Sequence, residues 1–567
     1  METIINDAKI YWPELYNWAN ANRKPIVISS ISCYLTFKAT KFIYKIYKFN
    51  KALSHIPVNP AFPVVFGGIQ KFGGVDYARK IQMLGDAASE MEQKSDLKVK
   101  VPAGVTKAYF IPFVPFLIIS EQEVLNKILT SNVHINKIDI IKKSLGLAAL
   151  KETNIFLANR EIWKEKRRTL SKGMHQGLFD TYGQNIYKIA KNWADNLIPS
   201  GEKQNSIETI YLNQQYMLSF DMLLENIFGA SANIISNEQK EGVMKLVLQA
   251  LPLIESRVSR PILANDFIWK IFSWWKGLDG TEVVKQLKST VLLLADVRMK
   301  SLTEMKESEN ILNGDENSQN FQNQSGTLII DILLDLYHEN RLTTDEMISE
   351  ALIFFVGSFA MISHSLSGMI YCLSHKTSVD QQEKLVQEID RFFPEKSDLD
   401  NESIDNLRET LKKMDYLDAV VKEGLRLYSP VHYVTRCFDR DLELDNLKIK
   451  VDPETKLQSF LLLNAAMKSE VKNSSAGKND YKNFRSERFI NQEYNQKAYM
   501  PFSKGVRDCI AQSYALLSMK IQLINIYKNF RTEVVCRDAE DEEIVRDVQS
   551  NFLFHMKNEP CMRFLKR

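Results

Sequence analysis

The stretch PFSKGVRDCIAQSYALLSMK, residues 501–520, sets one thiol, Cys509, between a glycine-bearing loop and a helical pattern. A lone cysteine is most often a small buried hydrophobe. Here Gly505 and Arg507 precede it at short offsets and a helix start near Ile510 follows it. That arrangement suits a metal-ligating thiolate, because a helix N-terminus offers free N–H groups and the positive end of its dipole. A second constellation is ionic. Glu423 and Arg426 lie three apart in MDYLDAVVKEGLRLYSP and share one helix face. Arg488 follows in FRSERF. Taken alone, such a pair is a solvated ion pair worth little.

These residues need elements to hold them. The chain has 567 residues, 45% hydrophobic and 25% charged, an ordinary globular balance. A net charge of +3 is too small to draw nucleic acid. The six cysteines contain no CxxC pair, which argues against a zinc site or disulfide framework and for a reduced, intracellular body. GGIQKFGG lacks the Gly-Lys-Ser/Thr ending of a phosphate loop and follows no clear strand. From about residue 120 the patterning is helical. Residues 307–326, ESENILNGDENSQNFQNQSG, read as a mobile loop between helices. Thr343 and Glu346 form a capping box before a run that is apolar nearly all round, which predicts a long helix buried at the centre. Strand signal is thin, with LELDNLKIKV the clearest alternation.

The N-terminus reads as a membrane-anchor segment. Pro25 to Phe37 is apolar and Lys38, Lys41, Lys45, Lys48 and Lys51 follow. Extension to Tyr44 reaches the roughly 20 residues of a spanning helix, with Lys38 and Lys41 able to snorkel. Glu2, Asp7 and Glu14 upstream place the later residues in the cytoplasm and argue against a mitochondrial presequence. A spanning anchor and an amphipathic surface helix both fit. The expected division is a flank at 1–24, the anchor at 25–45, a basic, Pro-rich linker at 46–60 and one catalytic domain at 61–567.

The Glu-x-x-Arg helix, the Arg-Phe loop and F-x-x-G-x-R-x-C-x-A from Phe502 to Ala511, in that order, resemble the cytochrome P-450 family. REIWKEKRR adds the family's Trp-x-x-x-Arg at Trp163 and Arg167. The similarity runs from about residue 55 to the end and is thinnest at 60–110 and 445–480. It implies a mostly α fold with a small β region, a single domain and haem b. By that resemblance Cys509 is the axial iron ligand, and Gly505 brings the loop close to the porphyrin. Arg507, Trp163, Arg167 and Arg436 reach the haem propionates, and Phe502 shields the sulfur. Glu423, Arg426 and Arg488 form a structural ion-pair triad. Ala511 stands where the family usually has Gly, and Ser486 where Pro is common. A microsomal-type member implies an endoplasmic reticulum membrane location with the catalytic domain cytoplasmic. It also implies an NADPH-dependent reductase and insertion of one atom of O2 into an apolar small molecule. Lys164, Lys166, Arg168 and Lys504 flank the motifs, and either steer an acidic reductase or form a generic solvated face.

One motif departs. The family's central helix usually carries a small residue, Gly, any residue, an acid and Thr. This chain has VGSFAM, with Gly357 kept, Phe359 for the acid and Ala360 for the alcohol. That pair normally relays protons to the distal oxygen, a general-acid step. Three readings follow. The first is a monooxygenase relaying through water, aided by Ser363 or His364, which lie three and four residues past Ala360. For His364 a satisfied core histidine is the stronger reading. The second is a peroxide-using or peroxide-rearranging enzyme, and the third a haem-binding protein with little turnover. Phe354, Phe355, Phe359 and Met361 make the helix apolar, as substrate contacts or as core.

Overall fold

The computed structural model describes parts of residues 32–58 and most of 104–567, with its wider breaks at 59–103, 313–327 and 536–547. The first half contains α1 (Gln122–Thr130), α2 (Asp139–Leu145), α3 (Arg160–Leu170), α4 (Phe179–Leu197), α5 (Tyr211–Asn226), α6 (Asn237–Ser259), α7 (Asp266–Lys276) and α8 (Gly280–Leu312). The second half adds α9 (Ile329–His338), α10 (Thr344–Ser374), α11 (Val379–Phe392), α12 (Ile404–Lys413), α13 (Asp415–Leu427), α14 (Leu463–Lys472), α15 (Glu487–Ile490) and α16 (Gln512–Asn529). The described chain is mostly helical with small sheets.

One sheet runs β1 (Val105–Ile111), β2 (Val114–Ile119), β7 (Leu457–Leu461), β4 (Val434–Phe438). Only its β2–β7 pair is parallel. A second, antiparallel sheet has β11 (Cys561–Lys566) between β3 (Ser206–Ile210) and β8 (Phe530–Val534). The alternating LELDNLKIKV becomes a hairpin of β5 (Leu442–Leu444) and β6 (Leu447–Ile449). A further two-stranded pair joins β9 (Val548–Ser550) and β10 (Phe554–Met556).

The predicted capping box opens α10. Thr343 Oγ1 accepts from the Glu346 N–H at 3.3 Å, and Glu346 Oε2 accepts from the Thr343 N–H at 3.0 Å. Among the described residues α10 is the one helix long and apolar enough to cross a membrane. Its apolar surface is instead covered by protein. Leu366, Met369, Tyr371 and Leu373 are fully buried, and α5, α9, α13 and α16 pack on it.

Two boundaries differ from the sequence reading. Helix α8 continues through Leu312, inside the segment expected to be loop; residues 313–327 lie outside the described residues. Of the anchor segment, 25–31 also lie outside them, as does the Gly-rich stretch at 67–74. The described residues between 32 and 51 are helical, with Phe37, Ile43, Tyr44 and Tyr47 exposed.

Helix α7 falls within the region of helical patterning, but its exposed face is unusual. It turns Trp269 inward beneath the Arg257 guanidinium, 5.8 Å from the ring centroid. Phe267, Ile271, Trp274 and Trp275 face out at i, i+4, i+7 and i+8, with Trp274 83% exposed. This is the reverse of an ordinary surface helix, which buries its apolar stripe.

Candidate active site

The Cys509 loop folds back on itself, with the Cys509 N–H donating to the Phe502 carbonyl at 3.0 Å. Gly505 has φ +75°, and a Cβ there would lie 2.1 Å from the Leu129 carbonyl oxygen. The contact that demands glycine is therefore with the last turn of α1, a reason that porphyrin proximity alone did not supply. Helix α16 starts at Gln512, with Ala511 as its cap residue, slightly later than predicted. Phe502 is half-buried against the core.

Cys509 is exposed, yet the protein packed around its sulfur still removes enough water to raise the thiol pKa. A hydrogen bond from the Ala511 N–H and the charge of Arg167 oppose this and are outweighed. The depressed pKa expected from the helix N-terminus is thus not realised, because desolvation of a thiolate costs more than one terminal N–H returns. Coordination to a metal would remove the proton outright.

Helix α3 is fastened to this loop. Arg167 donates to the Asp508 carbonyl and to Asp508 Oδ1, both at 2.7 Å. The Trp163 ring carries the Arg507 guanidinium on its face, 4.5 Å from the centroid. Arg507 donates to the Ala158 and Ile155 carbonyls, and its Nε has no hydrogen-bond partner among the described residues. Arg436, 1% exposed on β4, donates to the Thr435 carbonyl at 2.9 Å. Burial lowers the Arg436 pKa to about 10. Burial, with repulsion from Arg436 and Arg167, lowers that of Arg507 to about 9. A buried and a half-buried guanidinium group that face carbonyls and a ring but no carboxylate, one with an orphaned Nε, call for an anion from outside the chain. The two carboxylates of haem b fit that requirement.

Glu423, Arg426 and Arg488 do meet. Arg426 is bidentate on Glu423 at 2.7 and 2.8 Å, and Arg488 Nε donates to Glu423 Oε1 at 3.0 Å. Glu423 also accepts from the Arg485 N–H at 3.0 Å, and Asp480 accepts from Arg488 at 2.9 Å. Two carboxylates therefore balance two buried guanidinium groups. Arg426 further donates to the Tyr481 and Asn483 carbonyls, which ties α13 to the strand-free segment leading to α15. Breaking such a buried network by removing one partner costs about 3–5 kcal/mol.

On α10, Ile353, Val356, Gly357, Ser358 and Met361 are the partly exposed residues around the departed motif. A Cβ on Gly357 would meet nothing within 4 Å. Phe359 and Ala360 are fully buried. Phe359 stacks on Tyr216 at 5.0 Å and meets Phe220 and Phe355 edgewise or tilted. It packs as a core aromatic, the second of the two alternatives the sequence left open for it. Ser363 donates to the Phe359 carbonyl at 2.7 Å and reaches Ser219 Oγ at 3.0 Å. His364 Nε2 and the Tyr216 hydroxyl are 2.8 Å apart. Both side chains are thus engaged with α5, which favours the satisfied-core reading of His364.

The sequence matches the sequence model of the family Cytochrome P450 over residues 104–558. The chain belongs to the cytochrome P450 family. It is a haem-thiolate monooxygenase and its cofactor is haem b. It is similar to cytochrome P450 3A15 of Cavia porcellus, 24% identical over 426 residues, 73% of this chain and 76% of that one. Cytochrome P450 3A13 of Mus musculus is 25% identical over 439 residues, 75% and 78% of the two chains. Lithocholate 6-beta-hydroxylase of Mesocricetus auratus is 24% identical over 441 residues, 76% and 78%.

In this P450 the proximal basic residues divide. Lys164 and Arg168 are exposed on α3. Lys166 is instead ion-paired with Glu350, a carboxylate 1% exposed on α10, at 2.5 Å. Lys504 donates to the Lys497 carbonyl at 2.6 Å. Lys166 is thereby engaged within the protein, its charge offset by Glu350. The sequence reading also missed Lys137, buried beside Arg436 and Arg507. No local spacing marks it.

Proposed function

We propose that this cytochrome P450 takes electrons from an NADPH-dependent reductase and inserts one atom of O2 into an apolar small molecule at the endoplasmic reticulum membrane, with its catalytic domain in the cytoplasm. The observation that carries the reading is the bridge made by α3, which exposes Lys164 and Arg168 and also grips Asp508, next to Cys509. Electrons arriving at that surface have a short route to the ligand loop. Bound haem b supplies the redox iron. The chain's own residues do the rest. Cys509 would offer the iron its thiolate, while Arg507 and Arg436 would neutralise the propionates. Trp163 holds the Arg507 plane and Arg167 fixes the loop. Gly357 leaves open space on α10, flanked by Ile353, Val356 and Met361, which favours an apolar substrate. The exposed aromatic stripe of α7 and the exposed aromatics between residues 37 and 47 support membrane association, since Trp and Tyr with lysines suit the headgroup layer.

A second reading rests on the burial of Phe359 and Ala360. With neither acid nor alcohol there, peroxide itself becomes a competent oxidant. Turnover of one substrate with reductase and NADPH, against turnover with hydroperoxide alone, separates the readings. Lithocholate is a reasonable first probe, given the name of one relative. Faster reductase-driven turnover supports the proposal. Peroxide-only turnover replaces it with the second reading. Tight spectral binding without turnover in either assay makes the protein a haem-bound ligand carrier.

A further inference from the structure

Lys137 lies between α1 and α2 and is 7% exposed. Its Nζ rests 4.9 Å from the centroid of the Phe156 ring. Among the described residues no carboxylate lies within ion-pair distance of it. The charged groups that act on it are Arg436 and Arg507, both cations, and burial together with their repulsion holds its pKa well below the ordinary lysine value. Arg436 and Arg507 likewise face carbonyl groups and an aromatic ring rather than carboxylates. Three cations from distant parts of the chain, two buried and one half-buried, thus act on one another with no carboxylate paired to any of them among the described residues. A buried charge without a partner is strongly unfavourable, so this cluster is built for a ligand with more than one negative group.

We propose that Lys137 is a third cation of the haem propionate site, pairing with a propionate alongside Arg436 and Arg507, so that haem retention depends on it. The proposal rests on the haem reading of the Cys509 site. It makes the free protein and the loaded protein respond in opposite directions. Without haem, Lys137 is a liability that an apolar side chain of similar length relieves. With haem, it is a charge-assisted contact.

The experiment compares wild type, Lys137→Met and Lys137→Arg. Each is loaded with haem b or with haem b dimethyl ester, whose propionates are uncharged, and haem transfer to excess apomyoglobin is timed. Thermal melting of the haem-free proteins is recorded alongside. Lys137→Met should lose haem b roughly tenfold to a hundredfold faster than wild type, the range expected for a hydrogen bond to a charged group. It should lose the diester at the wild-type rate. Lys137→Arg should retain haem b nearly as wild type does. The haem-free Lys137→Met protein should melt no lower than wild type. Equal haem b loss from wild type and Lys137→Met overturns the proposal. So does equally accelerated loss of the diester, which would mark Lys137 as packing only, and so does a haem-free Lys137→Met protein that fails to fold. If wild type itself takes up no haem with a Cys509-dependent ferrous-carbonyl band, the haem reading fails instead.

Discussion

Cys509 carries a thiol whose pKa is raised by the protein around it, so its thiolate form depends on the metal. Cys509→Ser should therefore abolish the red-shifted Soret band of the ferrous carbonyl form. A retained band would assign the iron to another residue. Phe359 sits at the other extreme, an aromatic at 0% exposure clasped by Tyr216, Phe220 and Phe355. Installing the acid usual in the family, Phe359→Asp, would strip this packing and bury a carboxyl without a partner. Losing a buried phenyl group alone costs roughly 3–5 kcal/mol, and the isolated carboxyl adds to it. The expected outcome is a melting temperature well below wild type and little haem-loaded protein, with no gain in coupling. A stable, tightly coupled variant would show that position 359 can reach the distal side.

At the scale of elements, α3 has two faces with different duties. Its inner side binds the ligand loop through Arg167 and α10 through Lys166 and Glu350. Its outer side carries Lys164 and Arg168. Steering by exposed charges acts on association rate and weakens with salt. Lys164→Glu with Arg168→Glu should slow reduction of the haem by a reductase at low salt, with the difference fading as ionic strength rises. Stopped-flow reduction measures this. An unchanged low-salt rate would remove α3 from the electron-entry surface. Lys166 is unsuitable for such a test, because reversing it would leave Glu350 buried without its partner.

For the whole molecule, pH acts through buried groups rather than through the near-zero net charge. His134 is buried against Phe438, ring centroids 4.9 Å apart, and burial lowers its pKa below the ordinary 6.5. Asp439 opposes the shift, while Arg440 and Arg160 add to it. The folded state then favours neutral imidazole. Stability is intact above the ordinary value and falls as pH drops through it towards the lowered one, by about 1.4 kcal/mol per pH unit at most. Replacing His134 with Asn should flatten the dependence of the urea midpoint between pH 7 and 5. An identical slope in both proteins would assign that sensitivity elsewhere.

The residues legible in the sequence are those whose relation is local. The Cys509 loop, the Glu423–Arg426 spacing, Trp163 with Arg167 and the capping box of α10 all lie within a few residues of one another, where helix periodicity and turn geometry dictate which side chains share a face. The family match over 104–558 agrees with the resemblance those motifs carry. What only the tertiary structure decided depends on segments far apart in the chain. Packing of α5 on α10 makes Phe359 a core aromatic, and a buried Glu350 claims Lys166. The outward turn of α7 leaves Phe267, Ile271, Trp274 and Trp275 exposed. Lys137, Arg436 and Arg507 converge from three separate segments. No spacing records such a meeting, because burial and electrostatic neighbourhood belong to the folded surface and not to the order of residues along the chain.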